Sequence, residues 1–525
     1  MTPVLARRQL PIGFQTLREI REGDCYYVDK SGMAIDLIES AGKAFFLSRP
    51  RRFGKSLLVD TFKELFEGNL TLFDGLAAET RWDWSQTHPV IRISFADSQL
   101  RDRAELDQRI DEFLHTEQQR FGILVDPVFR TVSGRFGELL RLLHVTHGRR
   151  VVVLVDEYDK PILDHLTDRD TATAMRDGLR NLYGVLKAAD EHLAFVFLTG
   201  VSKFSKVSIF SGLNHLQDIT LDRRFSALCG YTDSDVDTVF APELPGLDRD
   251  EIRRWYNGYN WLGTSVYNPF DLLLLFQNRE FRPWWFETGT PTFLVKLLAE
   301  RQWFSPDLRR LQSSMTLLSS FDVDRITPEA LLFQTGYLTI HDVREPLTGQ
   351  WVYTLGYPNR EVESSLNAAL LEGYGVPEQS SFPSRLRLID LLRRTDLPGL
   401  EPLFRALFAS IPHDWYRNNP LAGFEGHYAS VFYSYFAALG LDIRVEDTTN
   451  HGRIDMAVLF AAQVFVFEFK VVEQVAKGEA LRQIKALGYA DKYRARGEPV
   501  HLIGVEFGRT ARNLVGFDTE TLPPV

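Results

Sequence analysis

Three ionisable residues near the end of the chain, Asp455, Glu468 and Lys470, follow the spacing D-x12-E-x-K within GRIDMAVLFAAQVFVFEFK. Alternate side chains of a strand share a face. Glu468 and Lys470 therefore lie with Val464 and Val466, and Phe465, Phe467 and Phe469 lie opposite. A carboxylate in a strand that is apolar on both faces is costly unless it is paired or binds a metal. MAVLF and VFVFEFK, joined by a short AAQ turn, form an antiparallel pair that brings Asp455 beside Glu468. Two adjacent carboxylates ionise cheaply only with a cation between them. Mg2+ (or Mn2+), which oxygen ligands suit, resolves the repulsion. Lys470 can then orient a water at the ion or help deprotonate it, which is an assembly for phosphodiester hydrolysis. The same three side chains also fit a plain ion-pair cluster in which Lys470 neutralises the two acids.

A second set lies in the first half. AFFLSRPRRFGKSLLVDTFKELF (44–66) reads as a short strand, a polar loop and an amphipathic helix. That is the context in which GKS makes a phosphate cradle. Loop N–H groups and the positive helix N-terminus attract phosphate, so Arg51, Arg52, Phe53, Gly54, Lys55, Ser56 and Leu57 are the candidate ATP-binding residues. Lys55 would reach the β- and γ-phosphates and Ser56 would hold Mg2+. The usual motif opens with Gly six residues before the Lys; here that position is Arg49. VVVLVDEYD (151–159) is a continuous apolar strand ending in carboxylates, with Asp156 as the Mg2+ partner and Glu157 as the base toward the attacking water. After LAFVFL (193–198), Thr199 could sense the γ-phosphate, or belong to a turn or helix cap.

Positioning these groups requires particular elements. Apolar strands, VIRISF (90–95) among them, alternate with helical patterns, which implies a parallel, doubly wound sheet. In the last quarter, FEGHYASVFYSYFAALG reads as a helix with Glu425 on the face of Tyr428, Phe432 and Leu439. Glu425 would point toward the sheet, or sit solvated at a helix start that favours its charge. GEALRQIKALGYADKYRARGE reads as another helix. Arg482, Lys485, Tyr489, Lys492 and Arg496 recur along one face of it, suited to a nucleic-acid backbone or simply solvated. HLIGVEF (501–507) is expected to be the last strand, closing a mixed sheet.

RPRRFGKSLLVDTF, VVVLVDEYDKPI and FLTGVSKFSKVSIFSGLNHLQDIT resemble the AAA-ATPase-like family of prokaryotic proteins, in which an Arg-rich loop without the first Gly is usual. YNGYN and VYNPF are similar to that family too, although the residues alone read as an aromatic packing segment. GRID followed by EFK resembles the PD-(D/E)XK nuclease superfamily. That resemblance implies Asp455, Glu468 and Glu425 as metal ligands, Lys470 as the catalytic lysine, and Gln483 near the site. The fold class expected is α/β: a P-loop NTPase parallel sheet, a helical middle region and a C-terminal mixed-sheet nuclease-like domain. The expected divisions are an ATPase core (1–235), a helical lid-type extension (236–300), a mostly helical connection (301–415) and a nuclease-like domain (416–525).

Composition narrows the partners. The chain has 525 residues, 44% hydrophobic and 25% charged, enough for several domains. Its net charge of −10 excludes a globally basic nucleic-acid binder but not a local basic patch. Cys25 and Cys229 make no disulfide framework, so a reducing cytoplasm is expected. No apolar run approaches a membrane span. The function expected is an ATPase controlling a metal-dependent nuclease, with nucleic acid as partner (DNA ahead of RNA) and a homo-oligomer suggested by the ATPase class. The alternative is a nucleotide-dependent switch or nucleic-acid-binding regulator without nuclease turnover.

Overall fold

A computed structural model describes residues 7–96, 99–203, 215–288, 294–295, 298, 305–314, 318, 327–376, 378–411, 425–448, 453–473 and 478–524, with the side chains of 380, 425–427 and 448 excepted. The chain divides into two compact units, Met1–Thr288 with Gln312–Asn359, and Gly289–Leu311 with Arg360–Val525.

In the first unit the apolar runs become β1 (Ala44–Ser48), β2 (Val90–Ser94), β3 (Val151–Asp156), β4 (Leu193–Gly200) and the short β5 (Gln217–Asp218), in the order β2-β3-β4-β1-β5. Every pairing is parallel. β1 and β3 are buried at every position, as strands covered on both faces must be. Long helices make the crossovers: Lys55–Phe66 after β1, Arg103–Phe121 and Val132–His147 between β2 and β3, and Arg169–Ala188 before β4. Asp102, Thr131 and Asp168 cap the last three through their side-chain oxygens. Because β4 lies between β1 and β3, the phosphate loop and the acidic strand end open onto one edge of the sheet, where α/β folds bind ligands.

The aromatic segment after this core is packing material, and it packs against the loop. Tyr256, Tyr259 and Trp261 are buried. Phe53 of the GKS loop meets Tyr259 and Trp261 edge-on, with ring centroids 4.7 and 5.6 Å apart. The stretch expected as a mostly helical connection carries helices Pro328–Thr335, Arg360–Gly373, Glu378–Arg394 and Leu397–Ala409. It also holds a three-stranded sheet of β6 (Leu311–Ser314), β7 (Thr339–Leu347) and β8 (Gln350–Gly356), and it is shared between the two units. Alternation in YLTIHDVREPLTGQWVYTLG (337–356) is the signal for the hairpin.

The second unit carries a five-stranded mixed sheet in the order β13-β12-β11-β10-β9. Its strands are β9 (Asp442–Thr448), β10 (Arg453–Phe460), β11 (Gln463–Val472), β12 (Val500–Gly508) and β13 (Asn513–Leu522). β11 and β12 are parallel; the other neighbours run antiparallel. The strand expected to be last, β12, is followed by β13. Ala461 and Ala462, at φ 52° and 57°, make the tight turn between β10 and β11. Both residues at positive φ match the twist of the strands they join. On one sheet face Phe467 and Phe469 pack on Phe436 and Phe432 of helix Glu425–Ala437. On the other, Val464 and Val466 form a core with Ile484, Tyr489, Ala490 and Tyr493. Among the described residues, no helix is long and apolar enough to cross a membrane.

Candidate nucleotide and metal sites

The GKS loop, the end of β3 and the N-terminal segment enclose a cavity of about 530 Å³. Arg51–Leu57 line it together with Glu157 and Asp159, and Phe14, Tyr27, Tyr231 and Phe270 are among its apolar walls; Asp156 stands behind the lining rather than in it. Two loop residues take left-handed backbone, Arg52 at φ 67° and Gly54 at φ 86°. Gly54 carries that conformation at no steric cost and starts helix Lys55–Phe66.

The charges are arranged for an anion and a cation together. Lys55 is buried and its Nζ donates to the Pro50 carbonyl at 2.9 Å. Burial lowers its pKa, opposed by Glu157, Asp156 and Asp159. The Glu157 carboxyl is raised, first by burial and against the pull of Lys55, which suits a base. Asp156 is buried, and its Oδ1 has no hydrogen-bond partner among the described residues. An orphaned buried carboxylate oxygen is what a divalent ion would satisfy, so the residues fit Mg2+. Ser56 lines the cavity beside Lys55. Thr199 does not; its hydroxyl donates to the Leu47 carbonyl at 2.9 Å, tying β4 to β1.

Arg49, standing where a glycine is usual, turns away from the cavity. Its guanidinium donates to the carbonyls of Ser48, Thr220, Phe225 and Ser226 and lies 4.0 Å from the Trp261 ring centre. Burial lowers its pKa to about 10. The cationic run is thus divided between an internal brace, Arg49, and two exposed residues, Arg51 and Arg52.

In the second unit, the register that pairs Met456 with Phe467 sets Asp455 opposite Glu468. Asp455 Oδ2 accepts the Phe469 N–H at 2.9 Å, and Glu468 is buried. Glu468 Oε1 accepts from Lys470 Nζ at 3.1 Å and from Gln483 Nε2. Among the described residues no cluster of three or more His, Cys, Asp or Glu forms a cage. Two carboxylates still suit Mg2+, which keeps several waters. Helix Glu425–Ala437 is in place, and the Glu425 side chain lies outside the described residues.

The family described as "Predicted AAA-ATPase" matches residues 11–210, and the PD-(D/E)XK nuclease superfamily matches 423–516. An uncharacterised protein in the vnfD 5′ region of Azotobacter chroococcum mcd 1 is 62% identical over 520 residues, covering 99% of this chain and 100% of that protein. The chain belongs to this family of AAA-ATPase-like proteins with a C-terminal PD-(D/E)XK nuclease superfamily domain. No solved structure matches it.

Within the nuclease superfamily domain, the basic face read along one helix does not form. Helix Glu479–Ala486 ends at Leu487, and Gly488, at φ 58°, turns the chain before the short helix Asp491–Arg494. Tyr489 is buried in the core rather than offered to a base. Arg482 Nε donates to the Gly478 carbonyl, Lys485 pairs with Glu520 at 2.6 Å, Lys492 with Asp447 at 2.5 Å, and Arg496 with Glu498 at 2.8 Å.

Several residues outside the motifs shape the two sites. Asp159 is buried and accepts from Ser202 and Val201 beyond β4. Glu506 is buried on β12 beside Lys470 and accepts the N–H groups of Glu479 and Ala480 at 2.5 and 3.3 Å. That bond fixes the start of the helix bearing Gln483. Gly504 lets the helix come close: a Cβ there would lie 2.4 Å from Leu481 N. The fourth residue of DEYD and the acid in VEF are the sequence signals; neither shows its partner, which is distant in the chain. Glu157 itself sits at φ 52°, a left-handed conformation costing a non-glycine residue about 1–2 kcal/mol.

Proposed function

We propose that the AAA-ATPase-like unit binds and hydrolyses ATP and thereby controls a divalent-metal-dependent nuclease in the C-terminal domain. The observation that carries this reading is that each unit brings two carboxylates and a lysine together: Asp156 and Glu157 with Lys55 in the first, and Asp455 and the buried Glu468 with Lys470 in the second. The first set is built on a phosphate loop and the second on paired strands.

In the first unit, loop N–H groups and Lys55 would hold the phosphates and the apolar walls the base. Asp156 and Ser56 would hold Mg2+, which neutralises phosphate charge when bound. Glu157, whose carboxyl is raised by burial, would take the proton from the attacking water. In the second, Asp455 and Glu468 would hold the ion, with Glu425 as a further ligand, and the ion would polarise the scissile phosphate. Lys470 would orient the attacking water, and Gln483 would keep the Glu468 carboxylate aimed. Arg482, Lys485 and Lys492 would supply phosphate contacts, exchanging their present partners for the backbone of nucleic acid, with DNA ahead of RNA. A cytoplasmic location and a homo-oligomer complete the proposal.

The test is a cleavage panel on single- and double-stranded DNA and RNA. It is run with Mg2+ or Mn2+ and with ATP, ADP or a non-hydrolysable analogue, beside Lys55→Ala and Asp455→Ala proteins. Cleavage that depends on both Asp455 and nucleotide state supports the reading. Nucleotide-dependent binding of nucleic acid with no cleavage under any condition replaces it with a switch.

A further inference from the structure

The turn that carries Glu157 is fastened on its far side. Tyr158 N–H donates to the Thr199 carbonyl at 3.1 Å, and the Tyr158 hydroxyl donates to the Ser202 carbonyl at 3.2 Å. The Asp159 carboxylate accepts from Val201 N at 3.1 Å, Ser202 N at 2.6 Å and the Ser202 hydroxyl at 2.5 Å. Gly200 makes room for this: a Cβ there would lie 2.3 Å from Asp159 Oδ1 and 2.7 Å from the Tyr158 ring.

Asp159 also occupies the N-cap position of helix Lys160–Leu163, where an aspartate ordinarily caps with its side chain. It makes no such bond. Its carboxylate is committed across the sheet edge to the residues after β4 instead. A left-handed glutamate persists at a site only where its surroundings over-determine it, and here its next two neighbours are both anchored.

We propose that Asp159 is a positioning residue for ATP turnover, clamping the turn after β3 onto the end of β4 so that Glu157 keeps its left-handed backbone and faces the cavity. The proposal rests on reading that cavity as an ATPase site. Asp159 touches no substrate in this role; it acts through Glu157.

The full-length Asp159→Asn protein tests it. Asparagine keeps the shape but turns an amide toward the donors. The kcat for ATP should fall at least about tenfold, toward the roughly 100-fold that a 1 Å misplacement can cost. Affinity for a fluorescent ATP analogue should not fall, because the loop donors are untouched and the charge removed is a negative one that lines the same cavity and acts on Lys55. Ser202→Ala removes one donor and keeps the charge, so it should give a smaller fall and covers the case in which Asp159→Asn folds poorly. In a Glu157→Gln background Asp159→Asn should cost nothing further, since the group it positions is gone. Hydrogen exchange should quicken at Tyr158 and at Val201–Ser202 but not in helix Lys55–Phe66. An unchanged kcat, a full additional loss in the Glu157→Gln background, or unchanged exchange overturns the proposal. A wild-type protein that binds ATP without hydrolysing it overturns the ATPase reading itself, and the exchange measurement still decides whether the clamp exists.

Discussion

The two candidate sites reach a similar chemistry by different construction. The first is made by loops: Arg52, Gly54 and Glu157 all take positive φ, and the loop is braced from beneath by Phe53 and Arg49. The second is made by register: Asp455, Glu468 and Lys470 sit on two regular strands, and Gln483 reaches Glu468 from a helix. A loop site stores strain and needs anchors, but it can rearrange when a phosphate enters. A register site is held by the ladder itself and has little freedom beyond its side chains. On the proposed reading, the nucleotide unit would supply the part that rearranges and the nuclease superfamily domain the part that stays fixed.

The largest effects should separate the two sites cleanly. Lys55→Ala should lower ATP turnover by at least about 100-fold, the scale seen when one preorganised charge is removed from a site. Asp455→Ala should lower nucleic-acid cleavage by a similar factor while steady-state ATP hydrolysis stays within about twofold. Asp455→Ala protein that cuts as fast as wild type would remove the register site from the chemistry.

Next come changes that attack the anchors. Arg49→Met removes the guanidinium from the carbonyls of Ser48, Thr220, Phe225 and Ser226; Phe225 keeps the Leu228 N–H, and a buried carbonyl left without a donor costs about 1–3 kcal/mol. Urea melts should show a loss of about 3 kcal/mol or more. Arg52→Ala, at an exposed position, should stay within about 0.5 kcal/mol. Equal losses would mean that the buried arginine is not the brace. In the other unit Gly504→Ala pushes a methyl into the Leu481 backbone. It should cost about 1–3 kcal/mol and reduce cleavage with it, because the helix carrying Gln483 must shift.

These contrasts also explain what the sequence made legible. The period of two in VFVFEFK is local, so the face shared by Glu468 and Lys470 could be read directly, and the tight turn set Asp455 opposite. The strand–loop–helix around GKS and the apolar run ending in Asp156 were equally local. What stayed hidden depends on partners far along the chain. Arg49 looked like part of a cationic phosphate loop, yet its acceptors lie in residues 220–226. Asp159 stood among the carboxylates that end VVVLVDEYD and Glu506 within the apolar strand HLIGVEF, with nothing local to show their partners. The basic face failed at Gly488: a three-four spacing persists through a turn that no longer has helical geometry, and Tyr489 went to the core.

A smaller effect concerns pH. The folded pKa of Glu157 lies above its unfolded value because burial disfavours its charge. The folded state therefore holds the proton more tightly, and this group's contribution to stability is lost as pH rises from the unfolded pKa through the folded one. Glu157→Gln should make stability less dependent on pH in that window. In activity the sign reverses, since the base works only when deprotonated. The acid limb of kcat/KM should lie above the usual glutamate range, and a limb at or below that range would deny Glu157 the role of base.

The smallest effect sharpens the nuclease side. Lys485 and Lys492 are paired with Glu520 and Asp447 at the surface. Exposed pairs of this kind contribute about 0–1 kcal/mol, so Lys485→Ala should scarcely move the melting midpoint. If Lys485 leaves Glu520 for a phosphate, the slope of log affinity against log salt should become shallower by about one, roughly the release of a single counterion. The Glu520→Gln protein should show the opposite bias: with its competitor removed, Lys485 binds the phosphate more readily and affinity at low salt rises. A Lys485→Ala protein with the wild-type salt slope would leave the lysine as a surface ion pair only, and the nucleic acid would then have to be held by other residues around Asp455.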